Sequence, residues 1–139
     1  MRRMIYISTG RADHLLADRD DILALARRNN PELGITGMLI THTSTYVQIL
    51  EGPPETVVPL LRYIAGDRRH SGFRLLLDEP IAVPTFAGRS MNHHATTGLG
   101  ADLVRPIEAL RSSTLRDPDV TPALLDGLLT LGRAAQQAR

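Results

Sequence analysis

The sequence predicts an α+β domain, a mixed sheet with two helices on one of its faces, followed by C-terminal capping helices. Three observations predict it. Strand-length apolar runs and helix-length amphipathic stretches follow one another in the order βαββαβ between Met4 and Leu77. Gly10, Gly34 and Gly52-Pro53-Pro54 punctuate the junctions, where turns need residues that helices and strands tolerate poorly. After Met91 the pattern changes to a linker-like Ala95-Thr96-Thr97-Gly98-Leu99-Gly100 and then to leucines at helical spacing.

Met4-Ile5-Tyr6-Ile7-Ser8 is the first strand, with Met4, Tyr6 and Ser8 on one face and Ile5 and Ile7 on the other. Both faces are apolar, so the strand belongs in the middle of its sheet. Asp18 is the expected cap of the first helix, with Asp20 and Asp21 in its first turn and Arg27 and Arg28 in its last, signs that suit the helix dipole. Ile22, Ala26 and Asn30 recur at i, i+4 and i+8, so Asn30 extends the buried stripe. Pro31 is the expected end of the helix. Ile35 to Thr41 and Tyr46 to Glu51 form a hairpin across His42-Thr43-Ser44. Glu55 to Ala65 is a second helix with Val57, Leu60, Leu61 and Ile64 inward, although Pro59 removes a donor beyond its first turn. Asp67-Arg68-Arg69-His70 closes it. Phe73 to Leu77 is a fourth strand, and Phe86 to His93 a weaker fifth. The order βαββαβ matches a ferredoxin-like sandwich, in which the expectation is that the first and third strands are parallel neighbours and Tyr6 lies beside Gln48.

In the tail, Pro106 to Arg111 is a candidate short helix, and Thr121-Pro122 starts another with Leu124, Leu125, Leu128, Leu129 and Leu131 as a broad stripe. That stripe needs a surface to cover, and the second face of the sheet (Ile5, Ile7, Val47, Ile49) needs a cover, within the chain or across a homodimer. The domain plan is therefore 1–94 for the sheet and its two helices, 95–100 for a linker and 101–139 for a helical cap.

Composition narrows the chemistry. With 139 residues, 42% hydrophobic and 22% charged, the chain can bury a core. A net charge of +1 supplies no field for nucleic acid or membrane. All 16 basic residues are Arg, so Schiff-base lysines and a phosphate-loop lysine are excluded. The absence of Cys excludes disulfides, thiol nucleophiles and cysteine metal sites. Met1-Arg2-Arg3-Met4-Ile5-Tyr6 enters a strand without a signal-peptide pattern, and no apolar run approaches the ~20 residues that span a bilayer. A cytoplasmic location is the expectation. His93 and His94 point to opposite faces of a strand, and no carboxylate stands at ligand spacing from His14 or His42, so no metal site is expected.

Gln48 in the middle of an apolar strand requires a partner for its amide, either a core hydrogen-bond network or a ligand. Tyr6 fits a core tyrosine, and Asn29-Asn30 fits either a helix C-terminus or an amide pair aimed at a ligand. Asp67, Arg69 and His70 form a solvated helix end or a holder of a phosphate or ribityl chain. The residues alone lead to an α+β domain with a buried polar pocket.

Met4-Ile5-Tyr6-Ile7-Ser8, Asn29-Asn30, Gly34-Ile35-Thr36-Gly37-Met38-Leu39, Gln48-Ile49-Leu50-Glu51-Gly52, Asp67-x-Arg69-His70 and Ser90-Met91, in that order, resemble the BLUF domain, a blue-light photoreceptor module that uses flavin. The resemblance covers roughly residues 2 to 93. It implies FAD or FMN between the two helices, bound by Tyr6, Ile22, Ala26, Asn29, Asn30, Gln48, Tyr63, Asp67, Arg69 and His70. It implies a photochemical relay in which Tyr6 gives up an electron, then a proton, and the Gln48 amide ends in a different hydrogen-bonding arrangement. It assigns signal output to Met91 and Arg89, toward an unknown downstream effector protein, with no enzymatic product. Three positions depart from the family pattern: Arg89 where a Trp is frequent, Ala26 where a Ser is common, and Tyr63 where an Arg is frequent. The rival reading is a flavin-free interaction module of the same fold, its amides forming a core network.

Overall fold

The computed structural model describes residues 1–86 and 91–95, together with Ile107, Asp126 and Thr130. Arg89, Ser90, the linker after Ala95, Thr121-Pro122 and the leucine stripe from Leu124 to Leu131 lie outside the described residues. The elements are β1 (Arg2–Gly10), a 3-10 turn (Ala12–His14), α1 (Leu15–Leu33), β2 (Thr36–His42), β3 (Thr45–Gly52), α2 (Pro54–Ala65), β4 (His70–Pro80) and β5 (Asn92–Ala95). Their sheet order is β4-β1-β3-β2-β5.

The α+β class and the ferredoxin-like order hold, but β1 and β3 are antiparallel, not parallel. The crossover through α1 makes β2 run in the direction of β1 and leaves a lane between them. The tight turn at Thr43-Ser44 then reverses the chain, so β3 enters that lane opposed to both neighbours. The neighbour relation survives the reversal: Tyr6 lies directly across from Gln48. β5 adds to β2 in parallel, which makes the sheet mixed.

Alternation distributes the core between two faces. Met4, Tyr6, Leu39 and Leu50 pack with Leu23 of α1 and Val57 and Leu61 of α2. Ile5, Ile7, Met38, Ile40, Val47 and Ile49 form the second face, joined by Leu76, Phe86 and Ile107. Ile107 is helical and fully buried there, so at this position the tail covers the second face. Burying that side chain contributes about 2 kcal/mol.

Several boundaries differ from expectation. α1 begins at Leu15, and Asp18 is an interior residue rather than its cap. The Asp18 carboxylate is buried and accepts two hydrogen bonds from Arg11, from Nε at 2.9 Å and Nη2 at 2.7 Å. A loop cation that precedes the helix thus takes up the charge that was expected to cap it. Pro31 does not end α1 either. It sits inside the last turn, and the helix stops at Gly34, which adopts the left-handed conformation (φ 69°) that a side chain disfavours. Ile35 N–H then donates to the Asn30 carbonyl at 3.0 Å. Arg27 and Arg28 consequently lie before the last turn, which holds no basic residue.

α2 ends at Ala65, and Asp67 to Arg69 form a turn before β4 rather than a helix end. β4 is longer than Phe73 to Leu77, because β1 continues to offer ladder partners as far as Pro80. β5 starts at Asn92 and does not include Phe86, whose N–H donates to Glu51 Oε1 at 2.9 Å and so leaves the ladder.

The Arg11 guanidinium holds the Asp18 carboxyl below the usual carboxylate range through hydrogen bonding, against the opposing effect of burial. A carboxyl depressed in the folded state stabilises above its unfolded value, about 3.9, and loses that contribution as pH falls through the folded value. Asp18→Asn should therefore lower Tm at pH 7, and the difference from the parent should close below about pH 4. Thermal melts across that range decide it; a gap that stays constant with pH counts against the ion pair.

Among the described residues, no helix is long and apolar enough to cross a membrane, and no group of three or more His, Asp or Glu side chains is placed to hold a metal ion.

Candidate functional site

A cleft of about 220 Å³ lies between α1 and α2, with β1 and β3 as its floor. The topology builds it directly. One helix follows β1, the other follows β3, and both return over the same sheet face. Their apolar stripes meet that face from either side and leave a slot above Tyr6 and Gln48.

Tyr6, Ile22, Ala26, Asn29, Asn30, Gln48, Tyr63, Asp67, Arg69 and His70 all line the cleft. Leu25, Leu33, Leu50, Leu60 and Ile64 line it too, and the sequence reading did not assign them to the site. Helical spacing carried that signal, since Leu25 and Leu33 flank the Ile22–Asn29 stripe and Leu60 and Ile64 flank Tyr63. Met91 touches the site from the β5 side, whereas Arg89 is outside the described residues.

Tyr6 O–H donates to Gln48 Oε1 at 2.6 Å, and both residues are 2% exposed. Gln48 Nε2 then donates to Met91 Sδ at 3.4 Å. Gly37 makes room for this sulfur residue. A Cβ at Gly37 would collide with the Ile49 carbonyl and stand 3.4 Å from Met91 Cε. The Tyr6 ring stacks on Phe73 at 4.9 Å and meets the edge of His70 at 6.0 Å.

His70 is fixed at both nitrogens. The Ile64 carbonyl, 2.5 Å from Nε2, only accepts, so Nε2 carries a proton; Ser8 Oγ lies 2.7 Å from Nδ1. Ser8 shares the face of Tyr6 because the two are two residues apart on a strand.

Burial pushes the Tyr6 phenol well above its ordinary range, with the nearby Asp67 acting in the same direction and Arg69 opposing it. The phenol is therefore held protonated. Asp67 is held low by hydrogen bonds from Arg69, which places both its Nε and Nη2 on that carboxylate. A matched ion pair thus sits at the mouth beside the largely exposed Tyr63.

This donor set fits a flat heteroaromatic group with a polar tail. The walls are apolar helix side chains suited to both faces of a flat ring. The inner end carries amides, which offer donors and acceptors side by side to a heteroaromatic edge with carbonyls and ring nitrogens. The mouth, with Asp67, Arg69 and His70, suits a polar tail. A hydrogen-bonded phenol–amide pair at the inner end of a cleft in a two-helix sandwich defines a class, the small α+β binding module with room for a flat heteroaromatic ring.

The family model described as sensors of blue light using FAD, BLUF, matches residues 1–92, and the chain belongs to that family. The flavin that the resemblance implied is the FAD of the family's description. The antirepressor BluF of Escherichia coli K12, described as blue light- and temperature-regulated, is 36% identical over 67 residues, 48% of this chain and 17% of that protein. The photoactivated adenylate cyclase subunit beta of Euglena longa is 37% identical over 68 residues, 49% of this chain and 8% of that protein. The chain thus spans less than a fifth of the length of these curated relatives. Among solved structures, the dark state of BlrB, a BLUF protein, matches with TM-score 0.78 and 28% identity, covering 99% of this chain and 96% of that one. The ground state of BlsA matches with TM-score 0.76 and 26% identity, covering 94% and 86%. A structure of Klebsiella pneumoniae BlrP1 with FMN matches with TM-score 0.69 and 29% identity, covering 93% of this chain and 34% of that one.

Besides those wall residues, three contacts escaped the sequence, one of them, at Glu51, on the opposite sheet face. Phe73 stacks on Tyr6, Glu51 anchors the chain at Phe86, and Arg27 reaches Met91. Glu51 carried a signal, a charge at the end of a buried strand. The other two had none.

Proposed function

We propose that this chain is a short blue-light photoreceptor in which Gln48 changes its hydrogen bonds under illumination and Met91 carries the change outward. The observation that supports it best is the 2.6 Å bond from the Tyr6 phenol to Gln48 Oε1 at the inner end of the cleft. Bound flavin, excited by blue light, is an oxidant that draws an electron and a proton and later returns them. Tyr6 is the chain's donor of both. Its phenolate is disfavoured by burial, so electron loss is coupled to departure of the phenol proton. While that proton is away, Gln48 Oε1 lacks its donor, and the amide is free to exchange the ends it presents to Tyr6 and Met91. The result is a population shift, with no chemical product.

Ile22 and Ala26 would pack against the ring face, Asn29 and Asn30 would bind its edge, and Tyr63, Asp67, Arg69 and His70 would border the ribityl and phosphate end. FAD is the cofactor; FMN, which lacks the adenylate, fits the same inner cleft. We further assign residues 1–94 to the sensor, 95–100 to a linker and 101–139 to a cap on the second sheet face. The protein acts in the cytoplasm as a homodimer on an effector protein, with Met91 and Arg89 assigned to the output route.

An absorption spectrum of the purified protein, dark and then after blue light, tests the reading. Flavin absorption that moves reversibly to longer wavelength is expected, with a solution mass of two chains. A colourless protein that does not take up FAD on refolding would leave the flavin-free interaction module in its place.

A further inference from the structure

We propose that Arg27 is a positioning residue for the light response, and the proposal rests on the photoreceptor reading. Arg27 lies on the exposed side of α1, one residue past Ala26, which lines the cleft. Its Nε donates to the main-chain carbonyl of Met91 at 3.2 Å. The side chain of the same Met91 runs inward, where its sulfur receives Gln48 Nε2 at 3.4 Å. An unbroken series of hydrogen bonds therefore runs from the buried phenol to the surface of α1: Tyr6 to Gln48, Gln48 to Met91, and Arg27 to Met91.

The Arg27 bond is the strong one at Met91. A thioether sulfur is a weak acceptor, so the Gln48 contact by itself holds Met91 poorly. A guanidinium bond to a carbonyl is charge-assisted and about twice as strong as a neutral one. Directly after Met91 comes the short β5 ladder, four residues long and paired, among the described residues, to β2. Arg27 thus fixes the backbone from which the sulfur is presented to the Gln48 amide. It stabilises the arrangement in which Nε2 faces Met91 and Oε1 faces Tyr6. After illumination that arrangement must be rebuilt, and a Met91 already held in place favours the return. The same helix forms a wall of the cleft and grips the output strand, so displacing α1 and releasing Met91 are linked.

Arg27→Met tests this, since methionine keeps a long stem and a good helix propensity while removing the donor. Thermal recovery of the illuminated protein is expected to slow by about threefold to tenfold, the range of one ordinary hydrogen bond, because water screens a guanidinium on the exposed side of α1. Amide hydrogen exchange in β5, measured in the dark on the full chain as purified, is expected to accelerate by a similar factor. Arg28→Met, at the exposed neighbouring position, should change neither quantity. Recovery and β5 exchange in Arg27→Met that match the parent would overturn the proposal. A parent protein without a light-driven shift would instead defeat the photoreceptor reading, and the exchange measurement would still decide whether Arg27 holds Met91.

Discussion

Gln48→Leu should leave a yellow, FAD-loaded protein whose visible band no longer moves under blue light. Leucine fills similar space between Val47 and Ile49, and the strand has full ladder partners on both sides, so the sheet persists. What is lost is the acceptor of the Tyr6 phenol and the donor to Met91 Sδ. A fully buried phenol left without its partner costs about 1–3 kcal/mol in stability, a tolerable loss for a folded domain. The loss of function is larger, because no other side chain bridges Tyr6 to Met91 among the described residues. Difference spectra before and after illumination measure it. A shift of parental size in Gln48→Leu would show that the phenol–amide pair is structural only.

The largest effect on stability is expected at Glu51. Its carboxylate is completely buried and accepts from Arg3 at 3.0 Å and from the Phe86 N–H at 2.9 Å. Arg3 also reaches Glu79 at 3.0 Å and Thr85 Oγ1 at 2.6 Å. This cluster ties β1, β3 and β4 to the segment that leads toward Met91. Glu51→Ala removes the buried partner of Arg3, which keeps Glu79 and Thr85, and leaves the buried Phe86 N–H without its acceptor, a loss of about 2–4 kcal/mol. Glu79 is the matched control: its side chain is 41% exposed, and its removal should cost about 1 kcal/mol or less. Urea unfolding of the two variants separates them. Equal, small losses would mean that water replaces Glu51 readily and that the segment at Phe86 is held by its side chain alone. A double replacement, Arg3→Met with Glu51→Leu, should recover part of the stability, since it removes both buried charges at once but leaves the Phe86 N–H without an acceptor.

Much of the site was legible because it is written in two local periods. Tyr6 and Gln48 sit on strands whose alternation places each on the helix face, and the stripe of Ile22, Ala26 and Asn30 follows the helical repeat. Such periods depend only on backbone geometry within one element, so they survive in a bare sequence. The family motifs named the cofactor for the same reason, since they sit at these face-determined positions.

Local signals failed where two of them competed or where the partner lay far along the chain. Asp18 had the chemistry of a cap, but Arg11 bonded it inside the helix. Pro31 had the chemistry of a stop, but Gly34 three residues later offered the left-handed conformation that ends a helix more completely. Phe86 had strand propensity, but Glu51 took its N–H. Arg27 suited a helix dipole and instead found the Met91 carbonyl, 64 residues away. The sequence by itself determined the class and the faces on which Tyr6, Gln48 and Asn30 lie. Only the tertiary structure decided the antiparallel direction of β1 and β3, the buried anchor at Glu51 and the grip of Arg27 on Met91. Those depend on which distant groups meet when the crossover closes, and no period within a single element encodes a partner.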